Sequence, residues 1–460
     1  MTRPNPRAAA DAGWAGQRED VVEIDHRPPE FTDEALALRF AETYADRLRY
    51  VASWSRWLYW DGRRWQPDST LLAFDFARKV CREVSATCNK KRVAVVIASA
   101  KTVAAVERLA KADRRIAATV DQWDSDVWLL NTPKGTINLR TGALQPHRRE
   151  DYITKITAVA PGGDCPTWIN FLFRVVGPEI AAYLGRVCGY ALTGSTAENS
   201  LFFLHGTGAN GKSVFINTVS GALGDYATTA SMETFVASNI DRHPTELSSL
   251  RGARLVTATE TEEGRRWAES RIKALTGGDR IAARFMRQDL FEFDPQFKLL
   301  IAGNHKPGLR GVDEAIRRRM NLIPFIVTIP VNERDENLAE KLKAEWPGIL
   351  QWMINGCIEW SQNGLCRPDA VARATAEYLT AEDIIGAWID ECCLNNGYAI
   401  TAELFASWRH YADEAGEYVG PQKRFSQALR DRGYTDKLQP GTGRAGFLGI
   451  RLKPSVSANS

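Results

Sequence analysis

Little in this sequence points to a metal centre. Eight cysteines are scattered through 460 residues, no two are spaced as C-x-x-C, and no histidine cluster lies near one. The common zinc-ligand spacings are therefore absent, and the pattern suits reduced thiols in a cytoplasmic protein. No apolar run is long enough to span a membrane, so no membrane partner is expected. Residues 1–20 are rich in Ala, Arg, Gly and Pro and lack the apolar centre of a signal peptide. A net charge of +3 creates no global field, so any basic surface must be local. There is no internal repeat. What remains is an ordinary globular composition, 44% apolar and 25% charged, long enough for several cored domains.

Apolar periodicity and turn residues divide the chain. Residues 1–30 read as a disordered tail and 31–160 as an α+β domain. Within it, residues 54–65 are dense in tryptophan, with an Asp61-Gly62 turn between apolar flanks that predicts a hairpin. A second strand pair is expected at 127–130 and 136–139 around the turn 131–135. Residues 161–200 read as a helical collar with Ile169, Leu172, Phe173 and Val176 on one side. An α/β core is expected over 201–330, a helical lid or linker over 331–380, and a winged-helix-like domain over 381–455.

The core opens on a complete G-x-x-x-x-G-K-[ST] motif: Gly206-Thr207-Gly208-Ala209-Asn210-Gly211-Lys212-Ser213, between an apolar strand and a helical stretch. Glycines let backbone N–H groups converge on phosphate oxygens, and the helix N-terminus adds its dipole. Lys212 should reach the β and γ phosphates of ATP, and the Ser213 hydroxyl should ligate Mg²⁺. A second apolar strand ends at Glu260, the first candidate for holding Mg²⁺ and polarising the attacking water, with Glu262 the second candidate for the base. A third strand ends at Asn304, whose amide could orient that water. Arg317-Arg318-Arg319 reads from spacing either as a solvated basic helix end or as an arginine finger for a neighbouring subunit's γ-phosphate.

Together these stretches resemble superfamily 3 helicases, and more narrowly the phage and plasmid primase-helicase family related to the poxvirus primase-helicase. The resemblance rests on residues 126–142, the P-loop, Glu260-Thr261-Glu262-Glu263-Gly264 leading to Ile272-Lys273-Ala274-Leu275-Thr276-Gly277-Gly278-Asp279, and Gly303-Asn304-His305-Lys306-Pro307 followed by the arginines and Ile323-Pro324-Phe325. It implies an AAA+-like ATPase core in a ring, usually a hexamer, with ATP between subunits and 3′ to 5′ movement on single-stranded or forked DNA. It assigns the finger to Arg318 and Arg319. It places Arg284, Phe285 and Arg287 on a channel loop, where two guanidinium groups could meet phosphate beside a stacking ring. Arg317 departs from the pattern, which often has an aromatic residue there. No primase-like acid pattern stands ahead of Asp126, so no primer synthesis is expected of these residues.

The tryptophan-rich stretch is read as a small domain's core in preference to a base-stacking surface. The C-terminal region carries Lys423, Arg424, Arg430, Arg432, Arg444 and Arg451, a set that could serve duplex DNA or a protein partner, including host replication proteins. The rival to an unwinding motor is a P-loop switch that binds an origin or recruits partners without processive unwinding.

Overall fold

Leu201-Phe202-Phe203-Leu204-His205 has no polar alternation, which suits a strand covered on both faces. In the computed structural model it lies inside a five-stranded sheet, ordered Met320–Pro324, Leu201–His205, Lys298–Gly303, Leu255–Glu260, Ala227–Thr229. Every pairing in it is parallel. By chain order the strands run 5-1-4-3-2. Register decides what this positions. His205 stands opposite both Gly303 and Pro324, and Gly303 opposite Glu260. The C-terminal ends of four strands therefore share one edge, the usual ligand edge of a parallel sheet. The structure describes residues 28–237, 245–260, 264–284, 290–309, 312–416, 418–439 and 443–454.

The helices over this sheet form a tight frame. Pro166–Leu192 breaks at Gly177 (φ 79°, ψ 167°), where Pro178 starts a second helical segment. Its buried residues before the break are Trp168, Phe171, Leu172 and Val175, a helical i, i+3, i+4, i+7 set. Phe173, expected on that face, is about half exposed. The run Ile169, Leu172, Phe173, Val176 has the same spacing shifted by one residue, and only packing separates the two. The second segment crosses Trp346–Asn363 backbone to backbone. A methyl group on Gly189 would lie 2.1 Å from the Cys357 nitrogen, and one on Gly356 would lie 2.1 Å from the Gly185 oxygen. Trp168 stacks on Phe215 of the P-loop helix Lys212–Leu223 at 5.5 Å and 14°, which joins frame to sheet.

At the opposite edge two cations are buried. Arg254 donates to the carbonyls of Leu192 (2.6 Å) and Leu129 (2.7 Å) and lies over the Tyr226 ring. Lys298 donates to the carbonyls of Thr193, Ser195 (3.1 Å) and Gln296 (3.3 Å), with its ammonium 4.6 Å from the Tyr190 ring centre. Burial holds the Lys298 pKa well below the ordinary lysine value.

The chain forms two compact units, residues 28–59 with 67–120, and residues 60–66 with 121–454. In the first, helices Asp33–Tyr44, Leu72–Thr87 and Ala100–Ala110 bury Phe40, Val80 and Val106 together with Leu48 of the strand Leu48–Val51. Trp57 belongs to that core. Trp65, wholly buried in the second unit, packs on Trp123 and Tyr152. Both are core residues. The Asp61 turn is held by its own carboxylate, which accepts from the N–H groups of Arg63 (2.7 Å) and Arg64 (2.8 Å). The strand pair expected near residue 130 is Leu129–Thr132 with Gly135–Asn138, closed by the two-residue turn Pro133-Lys134 and continued by Ala143–Gln145.

Residues 384–452 close around Trp388, Leu404, Phe425 and Phe447. Helices Ile384–Cys392, Thr401–Glu414 and Gln422–Asp431 pack with a three-stranded antiparallel sheet, Tyr398–Ile400, Ala445–Leu448 and Thr435–Leu438. Tyr398–Ile400, between the first two helices, adds a strand to the expected three helices and ribbon.

Candidate functional site

The loop after Leu201–His205 turns back over the sheet edge through close backbone contact. A methyl group on Gly206 would lie 2.0 Å from the Phe325 oxygen, so no larger residue fits. Phe325 N–H donates to the His205 carbonyl at 2.7 Å, and Ile329 N–H donates to the Ala209 carbonyl at 3.0 Å. Ala209 itself has φ +60°, a left-handed conformation that costs a non-glycine residue energy. Asn210 is buried and donates its amide to the Phe325 carbonyl at 2.9 Å. The segment after the last strand thus clamps the loop. Thr207, Gly208 and Ala209 are left exposed at its crest.

Lys212 begins the following helix and is buried, and its hydrogen-bond partners among the described residues are all neutral oxygens. Its ammonium donates to the Gly206 carbonyl (2.5 Å), Asn304 Oδ1 (3.0 Å) and Asn210 Oδ1 (3.1 Å). Burial lowers its pKa. Asn304 is exposed at the end of Lys298–Gly303, and its contact with Lys212 brings the third strand end to the P-loop. Ser213 is exposed one residue further on. His205 is pushed down to about 4 by burial and by the cations of Lys306 and Lys212, so it is neutral near pH 7.

Backbone register puts Glu260 beside Gly303, at the same edge. Its side chain, and all of Glu262, lie outside the described residues. The Ser213 hydroxyl, the Lys212 ammonium and the N–H groups of the exposed loop residues 207–209 are the groups that could meet a magnesium-bound triphosphate.

The arginine run lies elsewhere. Helix Glu314–Arg319 leads straight into Met320–Pro324, and Met320 pairs with Leu201, the first residue of the P-loop strand. The arginines therefore sit at the start of the strands and the P-loop at their end. Five residues at roughly 3.3 Å each set the two edges ~16 Å apart.

The three arginines have different surroundings. Arg319 is buried, donating to Thr276 Oγ1 (3.1 Å) and the Ala315 carbonyl (2.9 Å). Arg317 donates to Asp383 at 3.0 Å. Arg318 alone of the three is exposed. Helix Glu269–Gly277 grips both ends of this short helix. Lys273 pairs with Asp313, its N-cap, and Thr276 receives Arg319. Lys273 and Thr276 thus share one helical face, at i and i+3, and hold the arginines; their spacing was visible, their partners were not.

Beyond Asp279, Ile281–Arg284 pairs antiparallel with Leu290–Phe293, Arg284 facing Leu290 at the last described pair. Arg284 is half-buried. Phe285 and Arg287 lie outside the described residues. Among the six basic C-terminal residues, Arg430 pairs with Asp436 (2.6 Å), Arg432 with Asp383, and Arg451 donates to Asn396 (2.9 Å). Lys423, Arg424 and Arg444 are exposed.

Among the described residues no helix is long and apolar enough to cross a membrane. Similarity to the C-terminal region of NrS-1 extends over 91% of this chain and all of that one, at 10% identity and a TM-score of 0.46. A model described as D5 N terminal like matches residues 37–177, and a family of unknown function (DUF5906) matches 204–319. A protein of Acanthamoeba polyphaga mimivirus named as a helicase is 25% identical over 58% of this chain and 31% of its own length. Similarly named proteins of Frog virus 3 and Invertebrate iridescent virus 6 are 26% and 27% identical, over 45% and 48% of this chain and 23% and 24% of theirs. The chain thus matches less than a third of the length of each. The D5-like region followed by the second matched region, together with these viral relatives, agrees with the order of the motifs along the chain and supports kinship with the phage and viral primase-helicase family.

Proposed function

We propose that the chain is an ATP-driven DNA helicase of the superfamily 3 type, with an AAA+-like core that works as a ring, expected to be a hexamer moving 3′ to 5′ on single-stranded DNA. The observation that carries this is the separation of P-loop and arginines across one sheet. An exposed arginine on the far edge is of no use to its own P-loop and suits the P-loop of a neighbour. The strand order 5-1-4-3-2, with P-loop, Glu260 and Asn304 strand ends on one edge, supports the same reading.

In this reading Lys212 exchanges the oxygens of Asn210 and Asn304 for phosphate oxygens. Mg²⁺, held by Ser213 and Glu260, supplies charge neutralisation at the phosphates. Glu260 polarises the attacking water, with Glu262 the second candidate. Asn304, released from Lys212, turns its amide to orient that water. Arg318 of the next subunit meets the charge that develops on the γ-phosphate. Arg319 stays in its own subunit as the brace of the arginine helix. The loop bearing Arg284, Phe285 and Arg287 holds the DNA strand through charge and stacking. The three-helix, three-strand C-terminal unit is a winged-helix-like module whose exposed Lys423, Arg424 and Arg444 face a partner. Primer synthesis is no part of the proposal.

The test is strand displacement on a forked DNA, together with a mixing experiment. Lys212→Ala and Arg318→Ala are each expected to abolish displacement and ATP turnover. Mixed, they should recover part of the turnover, because some interfaces join an intact P-loop to an intact Arg318. No recovery on mixing, with rings still formed, sinks the trans-acting finger. DNA-stimulated turnover without displacement by the unaltered protein would favour the origin-binding or recruiting switch.

A further inference from the structure

The departure at Arg317 has a structural counterpart. Its guanidinium donates to Asp383 Oδ2 at 3.0 Å, and Arg432 donates to the other oxygen, Oδ1. The carboxylate is also the N-cap of helix Ile384–Cys392, accepting from Gly386 N–H at 3.0 Å. Asp383 is largely buried, with 13% of its side chain exposed, against 40% for Arg317 and 21% for Arg432. A largely buried carboxylate shared by two guanidinium groups resists loss of either, since the charge left behind would be poorly solvated.

The residues just before Asp383 hold a second part of the site. Glu382 accepts from Leu309 N–H at 2.7 Å. Tyr378 donates to the Pro307 carbonyl and accepts from Trp267 Nε1 at 3.0 Å. Pro307 to Leu309 is the backbone that leaves Asn304. One short stretch, the end of helix Asp369–Ala381 and the turn after it, therefore fixes the Asn304 loop and the arginine helix at once. Arg432 caps helix Gln422–Asp431, whose Phe425 and Leu429 lie in the core of the C-terminal domain.

We infer that Asp383 is a positioning residue that sets the orientation of the arginine helix and ties it, through Arg432, to the C-terminal domain. Whatever that domain binds is then felt at Arg318, one residue from Arg317. An aromatic residue at position 317 could not take this ion pair, which gives Arg317 a role distinct from the finger. The inference rests on the helicase reading for its effect on turnover, but the tie itself does not.

Two readouts on the full chain separate these. In the first, ATP turnover with forked DNA is compared for the unaltered protein, Asp383→Asn, Asp383→Glu and Arg432→Gln. Asparagine caps a helix as well as aspartate, so Asp383→Asn should fold normally and lose only the ion pairs. Its kcat should fall about tenfold with KM within about twofold, the pattern of lost orientation at the reacting centre. Asp383→Glu should recover most of the loss, and Arg432→Gln should reduce kcat about threefold. A kcat for Asp383→Asn within twofold of an active unaltered protein overturns the inference. In the second, amide hydrogen exchange is followed over residues 314–319, which needs no activity. Faster exchange there in Arg432→Gln supports the tie. Unchanged exchange overturns it. An unaltered protein without DNA-stimulated turnover sinks the helicase reading and leaves the exchange result to judge Asp383.

Discussion

Two buried lysines at opposite edges of one sheet differ in what holds them. Lys298, at the start of its strand, is bound by three backbone carbonyls and covered by the Tyr190 ring. Lys212, beyond the end of the neighbouring strand, is bound by one backbone carbonyl and by the side-chain amides of Asn210 and Asn304. Backbone carbonyls in a packed turn cannot leave. Asn304 is exposed and can turn away. Burial lowers both lysines, so a shifted pKa does not separate a working group from a structural one. The mobility of the partners does.

The largest effects should fall on the working residues. Arg318→Ala is expected to lower ATP turnover about 10³-fold or more at unchanged thermal stability, as for a lost arginine finger. Arg319→Ala should instead lose roughly 1–3 kcal/mol in denaturant titrations, because its hydrogen bond to Thr276 is buried and that to the Ala315 carbonyl is partly so. Equal stability losses in both variants would erase the distinction drawn between the two arginines.

Lys212→Ala is expected to lower turnover about 10²–10³-fold, with a smaller stability cost of about 1 kcal/mol from the Gly206 carbonyl and Asn210 Oδ1 that lose their donor. Lys298→Met should do the opposite. It leaves buried carbonyl oxygens without a donor and should cost about 2–3 kcal/mol, with KM and kcat nearly unchanged. A catalytic defect in Lys298→Met at full stability would break the comparison.

The pH dependence sharpens it. The Lys298 folded pKa is depressed, so between that value and about 10.4 the unfolded chain binds more protons and stability should rise with pH. Subtracting the Lys298→Met curve from that of the unaltered protein isolates this slope, and a flat difference between pH 7 and 10 contradicts it. The smallest effect concerns His205. Its folded value of about 4 lies below the unfolded ~6.5, so stability should be lost as pH falls from 6.5 towards 4. His205→Gln should flatten that loss, as read by denaturant midpoints at pH 4.5 and 7.

Much of the candidate site was legible because its signals are local. Gly206, Lys212 and Ser213 are fixed by one contiguous motif, and Glu260 and Asn304 by the ends of apolar runs. The arginines were not separable from spacing. Consecutive helical residues point about 100° apart, so 317, 318 and 319 face three ways. Which way is buried depends on Thr276 and Asp383, residues distant in sequence. The same holds for Phe173, where two equivalent helical faces competed, and for Arg430, Arg432 and Arg451, whose acceptors are set by tertiary packing. The tryptophans of 54–65 were readable as core, but not that Trp57 and Trp65 serve different cores.

The backbone crossing of Gly185, Gly189 and Gly356 bears on mechanical work. Side chains between two helices act as a compliant layer, since rotamers give way under load. Here the layer is missing at the crossing of Gly189 and Gly356, and Trp168, on the segment before the Gly177 break, stacks on Phe215 of the P-loop helix and meets Trp352 of the crossing helix Trp346–Asn363 edge-on. A displacement generated at the phosphate loop would therefore be passed on with little slack. In the proposed motor, stiffness of this kind would set how much of each chemical step reaches the far side of a subunit as motion and how much is lost as internal strain.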